Sequence, residues 1–342
     1  MRLNMRFRLM VAAIVLTLLA QAAFAAGPAK RLRAGMIGLD TSHVVEFVNL
    51  LNNPKAKGEL AQMTVVAAYP GGSPDLPVSW NRVKGFTETL RNKGVKIVDS
   101  IPELLEQVDV VLLESVDGRP HLAQARPVIA AGKPLFIDKP MSASLADAIQ
   151  IFRLAKAKHV PCFSASSLRF DSGPQGVRQG TAGFGVVRGC TAWCPAGGTT
   201  AQPEPFWFHG IHGVELLFTI MGPGCENVSQ AEPEKVVGQW KDGRQGAFVD
   251  NNHGKRKPVY GATVEGTKRS GDASKSEGYA PLLVAIVKFF KSGKPPVDPA
   301  ETLEIMAFME AADQSRQQGG APVSIESVMK KAKEQLARQG DR

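Results

Sequence analysis

The sequence predicts an α/β fold in two parts: a doubly wound parallel sheet, followed by an α+β domain with a large, mostly antiparallel sheet. Two observations carry this reading. Between residues 33 and 140, short apolar runs alternate with segments of helical period, the pattern of strands joined by crossover helices. From about residue 160 onward, strand-like runs follow one another with few helices between them, as in sheets whose helices are segregated from the strands. At 342 residues the chain is long enough for two such domains, each with its own core.

The first 25 residues stand apart. Arg2, Arg6 and Arg8 precede the apolar run Leu9 to Ala20, and Ala23-Phe24-Ala25 puts small residues where a signal peptidase cuts. Basic, then apolar, then small is the layout of a secretory signal. The run is short for a membrane span, which takes about 20 apolar residues. No Arg-Arg pair marks a twin-arginine signal, and no Cys follows the cleavage site. The expectation is Sec-type export to a periplasmic or secreted location, without stable membrane insertion.

Arg33 to Gly38 then reads as a short buried strand. A helix follows with Val44, Val45, Phe47, Val48 and Leu51 on its inner face and Thr41 or Ser42 at its cap. Met63 to Ala68 is a second strand, ending in the turn Pro70-Gly71-Gly72-Ser73-Pro74. Val95 to Asp99 is the third, with a short helix Ile101 to Gln107 behind it. Val108 to Glu114 is the fourth, apolar nearly throughout as strands covered on both faces are. A helix from His121 to Ala131 stops at Gly132, and the fifth strand, Pro134 to Ile137, closes on Asp138-Lys139-Pro140. Ser142 to Lys158 is a linking helix. These elements set a first domain over 30–145 and a second over 146–330. In the second, Val160–Phe170, Gly185–Cys194, Asn227–Gln230, Val236–Trp240, Gly246–Asp250 and Val259–Gly266 read as strands. Phe206–Met221, Tyr279–Lys291, Ala300–Gln318 and Ile325–Gln339 read as helices.

Charge excludes one class of partner. The chain has 41 Lys and Arg against 32 Asp and Glu, and removal of the signal leaves 38 against 32. No basic stripe is interleaved with stacking aromatics, so nucleic acid is not an expected partner. The four cysteines are Cys162, Cys190, Cys194 and Cys225. The spacing of Cys190 and Cys194 admits either a local disulfide or two free thiols, and no His sits at zinc-finger distance.

A strand, a Gly-ended turn and a helix start form a seat for a dinucleotide phosphate, because unpaired N–H groups and the helix dipole face it. The fingerprint asks for G-x-G-x-x-G, and this chain has Gly38-Leu39-Asp40-Thr41-Ser42-His43. Only the first Gly is present. Asp40 stands at the second position, where its carboxylate caps the helix and repels a diphosphate. No acid ends the second strand to hold a ribose diol; Asp75 is the nearest, and Ser73 with Arg82 or Lys84 offers a 2′-phosphate contact instead.

Further along, Ala131-Gly132-Lys133-Pro134-Leu135-Phe136-Ile137-Asp138-Lys139-Pro140 resembles the "aGk.v..EKP" signature of the glucose–fructose oxidoreductase (Gfo/Idh/MocA) family, with Asp138 for the Glu. Leu168-Arg169-Phe170 resembles the Arg-Phe pair that opens that family's second domain. Gly210-Ile211-His212-Gly213-Val214-Glu215 is similar to its "G-x-H-x-x-D" helix start. The Pro281-Leu282-Leu283 helix, the turn from Gly293 to Val297 and the Ala311-Ala312 helix extend the likeness over about residues 33–330. The resemblance implies a Rossmann-like first half, NAD or NADP as cofactor, and oxidation of a sugar or polyol hydroxyl. It also implies a homo-oligomer paired through the second domains. It puts the catalytic Lys on Lys139 and the catalytic His on His212. The family's Asp four residues earlier falls on Phe208, with His209 as a substitute. Its cofactor contacts fall on Gly38, Asp40, Thr41, Ser42, His43, Ser73, His121, Asp138 and Lys139.

Two alternatives stay open. His209, His212 and Glu215, three apart, can meet on one helix face as metal ligands, yet Glu215 serves equally as a buried hydrogen-bond anchor; the reading assigns no metal. Phe206 and Trp207 form a sugar-stacking wall or plain core. The second functional reading is a protein that has lost the cofactor and binds, or non-oxidatively transforms, a carbohydrate. Asp40 separates the two: the sequence predicts weak NAD(P) affinity, improved in Asp40→Gly.

Overall fold

The computed structural model describes residues 31–196, 209–251 and 256–339. The signal-like segment and Phe206, Trp207 and Phe208 lie outside them. The first domain runs β1 (Leu32–Ile37), α1 (His43–Leu51), β2 (Met63–Tyr69), α2 (Pro77–Asn92), β3 (Lys96–Ile97), α3 (Ile101–Gln107), β4 (Val110–Leu113), α4 (His121–Ala130), β5 (Leu135–Asp138), α5 (Leu145–Ala157) and β6 (Cys162–Ala165). Its six strands pair in the order β3-β2-β1-β4-β5-β6, all parallel. β4, β5 and β6 are buried at every position, as the apolar runs predict for strands with helices on both faces.

Two elements differ from the sequence reading. Helix α2 was not expected. It starts with Pro77 at its first turn and buries only Ser79, Thr87 and Leu90, so no apolar stripe announces it. The strand expected over 160–170 as part of the second domain is instead the edge of the parallel sheet. After α5 the chain returns beside β5, pairs through Cys162–Ala165 and then winds into a short 3-10 turn at Ser167–Phe170. The parallel sheet therefore extends past residue 145.

The second domain comprises α6 (Ser172–Arg178), β7 (Val187–Cys194), α7 (Ile211–Met221), β8 (Cys225–Glu232), β9 (Lys235–Trp240), β10 (Gln245–Asp250), β11 (Gly261–Gly266), β12 (Ser270–Asp272), α8 (Ala280–Ser292), α9 (Pro299–Gln317), β13 (Val323–Ser324) and α10 (Ile325–Gln339). The sheet order is β12-β11-β7-β10-β9-β8-β13, antiparallel except where β10 meets β7. Helix α7 is buried along its whole length. It presses on the sheet at Gly213, where a Cβ would run into the Phe248 ring. Helix α8 crosses back beneath the parallel sheet. Leu282, Leu283, Ile286 and Phe289 pack there with Phe47, Phe136 and Phe163, and the Phe163 and Phe289 rings meet edge-on at 4.7 Å. Each such fully buried side chain contributes about 1.5–3 kcal/mol, so the two domains share part of one core.

Cys190 and Cys194 both lie on β7, four residues and roughly 13 Å apart along the strand. A disulfide spans Cα atoms no more than about 7 Å apart, which closes the disulfide alternative. All four cysteines are free and buried. Among the described residues, no helix is long and apolar enough to cross a membrane.

Candidate active site

The turn from β1 to α1 is built on Gly38, whose φ of +86° an L side chain rarely adopts. A Cβ there would collide with the backbone of Ser115, just beyond β4. The glycine thus serves the approach of two strand ends. Its N–H and that of Leu39 donate to the carbonyls of Tyr69 and Pro70, at 3.0 and 2.7 Å. Asp40 turns inward and is fully buried. Its carboxylate accepts the Val116 amide at 2.9 Å and the Ser79 hydroxyl at 2.7 Å. Burial raises its pKa, and these two hydrogen bonds only partly offset that.

The hydrogen-bond chain continues. Ser79 Oγ, on α2, also accepts the Ser73 amide at 2.8 Å. Ser73 Oγ donates to Asp117 at 2.6 Å, and Arg119 spans Asp117 and Asp75 through its guanidinium. The loops after β2 and β4 are therefore bonded to each other. His121 is part of the same framework: its ring nitrogens lie 2.8 Å from the Ser115 carbonyl and 3.2 Å from the Met141 carbonyl.

Between the domains lies a cleft of about 460 Å³, within the range of small-molecule sites. Thr41, Ser42 and His43 line it from the start of α1, Val78 and Arg82 from α2, and Lys139 from the end of β5. The second domain contributes Ser167, Leu168, His209, His212 and Tyr260, and Tyr279 closes the rim. Ser42 heads α1, but its hydroxyl caps no amide. Lys139 is 7% exposed. Burial lowers its pKa, opposed in part by Asp138, Cys194 and Glu114. His212 Nδ1 sits 2.7 Å from Ser166 Oγ, which leaves Nε2 as the ring nitrogen for a ligand. Burial, then the charges of Lys139, His43 and His209, hold the His212 pKa well below the usual value. The same burial, with Lys139, Arg82 and His43, takes His209 down to about 4. Both rings are thus neutral at pH 7, beside an amine whose charge burial disfavours.

Behind Lys139, His43 Nδ1 meets Asp138 Oδ2 at 2.6 Å. Burial alone would raise the Asp138 pKa, but the His43 charge and hydrogen bond, with Lys139, bring it below the ordinary value. Glu215 resolves as an anchor. It accepts the Ser166 amide at 2.8 Å and Arg169 Nε at 2.7 Å, while Arg169 Nη1 reaches Glu301 at 2.8 Å. These contacts fix Ser166, and through it His212.

Of the residues singled out from the sequence, Lys139, His209, His212, Thr41, Ser42 and His43 share this cleft, with Asp138 supporting His43 from behind. Gly38, Asp40, Ser73 and His121 do not line it; packing and the internal hydrogen-bond network hold them. Arg82 does face the cleft, but apart from Ser73. Tyr260, Tyr279 and Glu114 escaped the sequence reading. For Glu114 one signal was there, an acid at the carboxyl end of an otherwise apolar parallel strand, where α/β sites lie.

Residues 32–166 match the Gfo/Idh/MocA family, described as an oxidoreductase family with an NAD-binding Rossmann fold. The match covers the first domain. Solved structures extend the likeness in fold over both domains. A probable dehydrogenase from Thermotoga maritima shares 21% identity at a TM-score of 0.67, covering 87% of this chain and 100% of the other. The scyllo-inositol dehydrogenase of Lactobacillus casei, solved with NAD(H) and scyllo-inositol, shares 15% at 0.65, covering 87% and 100%. An Agrobacterium radiobacter oxidoreductase, in complex with NAD+, L-tartaric acid and magnesium, shares 16% at 0.66, covering 87% and 99%. No curated protein sequence matches the chain.

A dinucleotide phosphate would meet two buried carboxylates beside the turn after β1. Asp40 takes the Val116 amide, and Glu114 places a second buried carboxylate close to it. An adenosine would lie between the ends of β2 and β4, where Ser73 and Asp117 are hydrogen-bonded to one another.

Proposed function

We propose that the protein binds a sugar or polyol in the interdomain cleft and transforms it by proton transfer, with Lys139 and His212 as the acid–base pair. One observation carries the reading. The cleft gathers a buried lysine and a buried neutral histidine from opposite domains, while two buried carboxylates, Asp40 and Glu114, stand beside the ordinary dinucleotide seat. A desolvated amine takes a proton near neutral pH, and a neutral imidazole gives or takes one. On the carbonyl form of a sugar, one group removes the proton from the carbon beside the carbonyl while the other protonates the carbonyl oxygen. The enediol so formed takes and gives back protons at the exchanged positions, so that an isomer leaves with both groups restored. Ser166 holds the His212 ring in place. Arg82 and the Tyr260 and Tyr279 hydroxyls supply hydrogen bonds to a hydroxylated ligand.

A second reading, dinucleotide-dependent oxidation of the same polyol, draws on Thr41 and Ser42 at the start of α1, which open to the cleft. It also draws on the solved structures that hold NAD. We place either activity outside the cytoplasm, on the order of charge and apolarity in the first 25 residues, and in a homo-oligomer.

The test is calorimetric titration with a panel of sugars and polyols, without added dinucleotide, on the purified protein and on Lys139→Met and His212→Gln. Saturable binding that either variant weakens at least tenfold supports the proposal. Binding seen only after NAD or NADP is added would sink it in favour of the second reading.

A further inference from the structure

Glu114 follows β4, and its side chain is fully buried. Its N–H donates to the Ile37 carbonyl at 2.7 Å, yet among the described residues neither carboxylate oxygen has a hydrogen-bond partner. A buried carboxylate left without a partner is costly, so its retention asks for a ligand. One atom each from His43, Glu114 and Asp138 lies within 4.8 Å of the other two. No hydrogen bond joins Glu114 to His43 or Asp138. Two metal–ligand bonds of about 2.0–2.2 Å each bridge most of that separation, and a small inward movement of the carboxylate completes it.

We propose that His43, Glu114 and Asp138 form a binding site for one divalent first-row transition metal ion at the floor of the cleft. The charges fit. Asp138 and Asp40 both act on Glu114, and Lys139 opposes them with a single positive charge; a doubly charged cation restores the balance of this buried group. The donors fit as well. One imidazole nitrogen and two carboxylate oxygens suit zinc, manganese, iron(II) or cobalt, whereas magnesium favours oxygen alone. The three residues come from the start of α1 and the ends of β4 and β5. His43 also borders the cleft, so coordination positions not taken by protein open toward a water or a ligand hydroxyl. Where this fold ordinarily seats an anion, the chain has assembled acids for a cation. The assignment is independent of the acid–base reading of Lys139 and His212.

Chelator-treated protein titrated with Zn²⁺, Mn²⁺ and Co²⁺ by calorimetry, with elemental analysis of the dialysed product, tests it. The expected result is one ion per chain, bound at micromolar concentration or below, and at least tenfold weaker binding in Glu114→Gln. Melting curves give a second readout. Saturating metal raises the melting temperature of the unmutated protein and leaves that of Glu114→Gln nearly unchanged. Asp138→Asn repeats the titration should Glu114→Gln fail to fold. No binding below millimolar metal, or equal binding by the unmutated protein and the variants, would overturn the proposal. A melting temperature that saturating metal leaves unchanged in the unmutated protein would overturn it too.

Discussion

The Asp40 carboxylate accepts the Val116 amide at 2.9 Å, joining the turn after β1 to the turn after β4. In this fold that corner is where a phosphate meets backbone N–H groups. The amide that Asp40 satisfies belongs to the turn after β4, while the start of α1 carries no side-chain cap.

Stability reports on that contact. Asp40→Gly leaves the buried Val116 amide and the Ser79 hydroxyl without their acceptor, and we expect a loss of about 1–3 kcal/mol. Asp40→Asn keeps an acceptor oxygen and should lose less. Denaturant unfolding of both variants measures this. The sequence alone predicts a gain in dinucleotide affinity from Asp40→Gly. The structure makes that gain small, because Ser73 and Asp117 still close the adenosine side.

Arg169 holds Glu215 and Glu301 together at 3% exposure. Arg169→Met strips buried Glu215 of its guanidinium, while Glu301 keeps Arg178 at 2.7 Å, with an expected cost of about 3–5 kcal/mol. The half-exposed Asp242 pairs with Arg244 at 2.8 Å, and Arg244→Met should cost at most about 1 kcal/mol. Equal losses in the two variants, by chemical unfolding, would contradict this assignment of the network.

The His209 pKa lies at about 4 in the folded protein, below the roughly 6.5 of an unfolded histidine. Between those values the unfolded chain holds the extra proton, so stability is full above pH 6.5 and declines as pH falls toward 4. His209→Gln should flatten the pH dependence of unfolding across that window and leave it unchanged above. An identical pH profile in the variant would contradict the depressed value.

All four thiols are buried and unpaired, and burial pushes the Cys162 and Cys225 thiols up to about 12. Native protein should react negligibly with a thiol reagent at pH 8, guanidinium-unfolded protein should release four equivalents, and a reductant should leave the melting temperature unchanged. Fewer than four equivalents would reveal a disulfide.

The parallel sheet was legible because its strands are apolar on both faces and its helices carry an inner stripe, as α1 does with Val44, Phe47, Val48 and Leu51. Helix α2 was not legible, since it buries three residues and meets the turn after β1 mainly through Ser79. Lys139 and His212 were found through the motifs around them. The contact of His43 with Asp138 joins residues 95 positions apart, and no local pattern encodes it. At Ser73 a hydroxyl at a strand end looks the same in sequence whether it faces a ribose or, as here, Asp117.

Native mass spectrometry with calorimetric titration of NAD and NADP tests most directly whether the buried Asp40 and Glu114 carboxylates exclude a dinucleotide. We predict that purified protein carries no dinucleotide and shows no saturable binding below millimolar concentration. A stoichiometric bound cofactor, or binding at micromolar concentration by the unmutated chain, would contradict it.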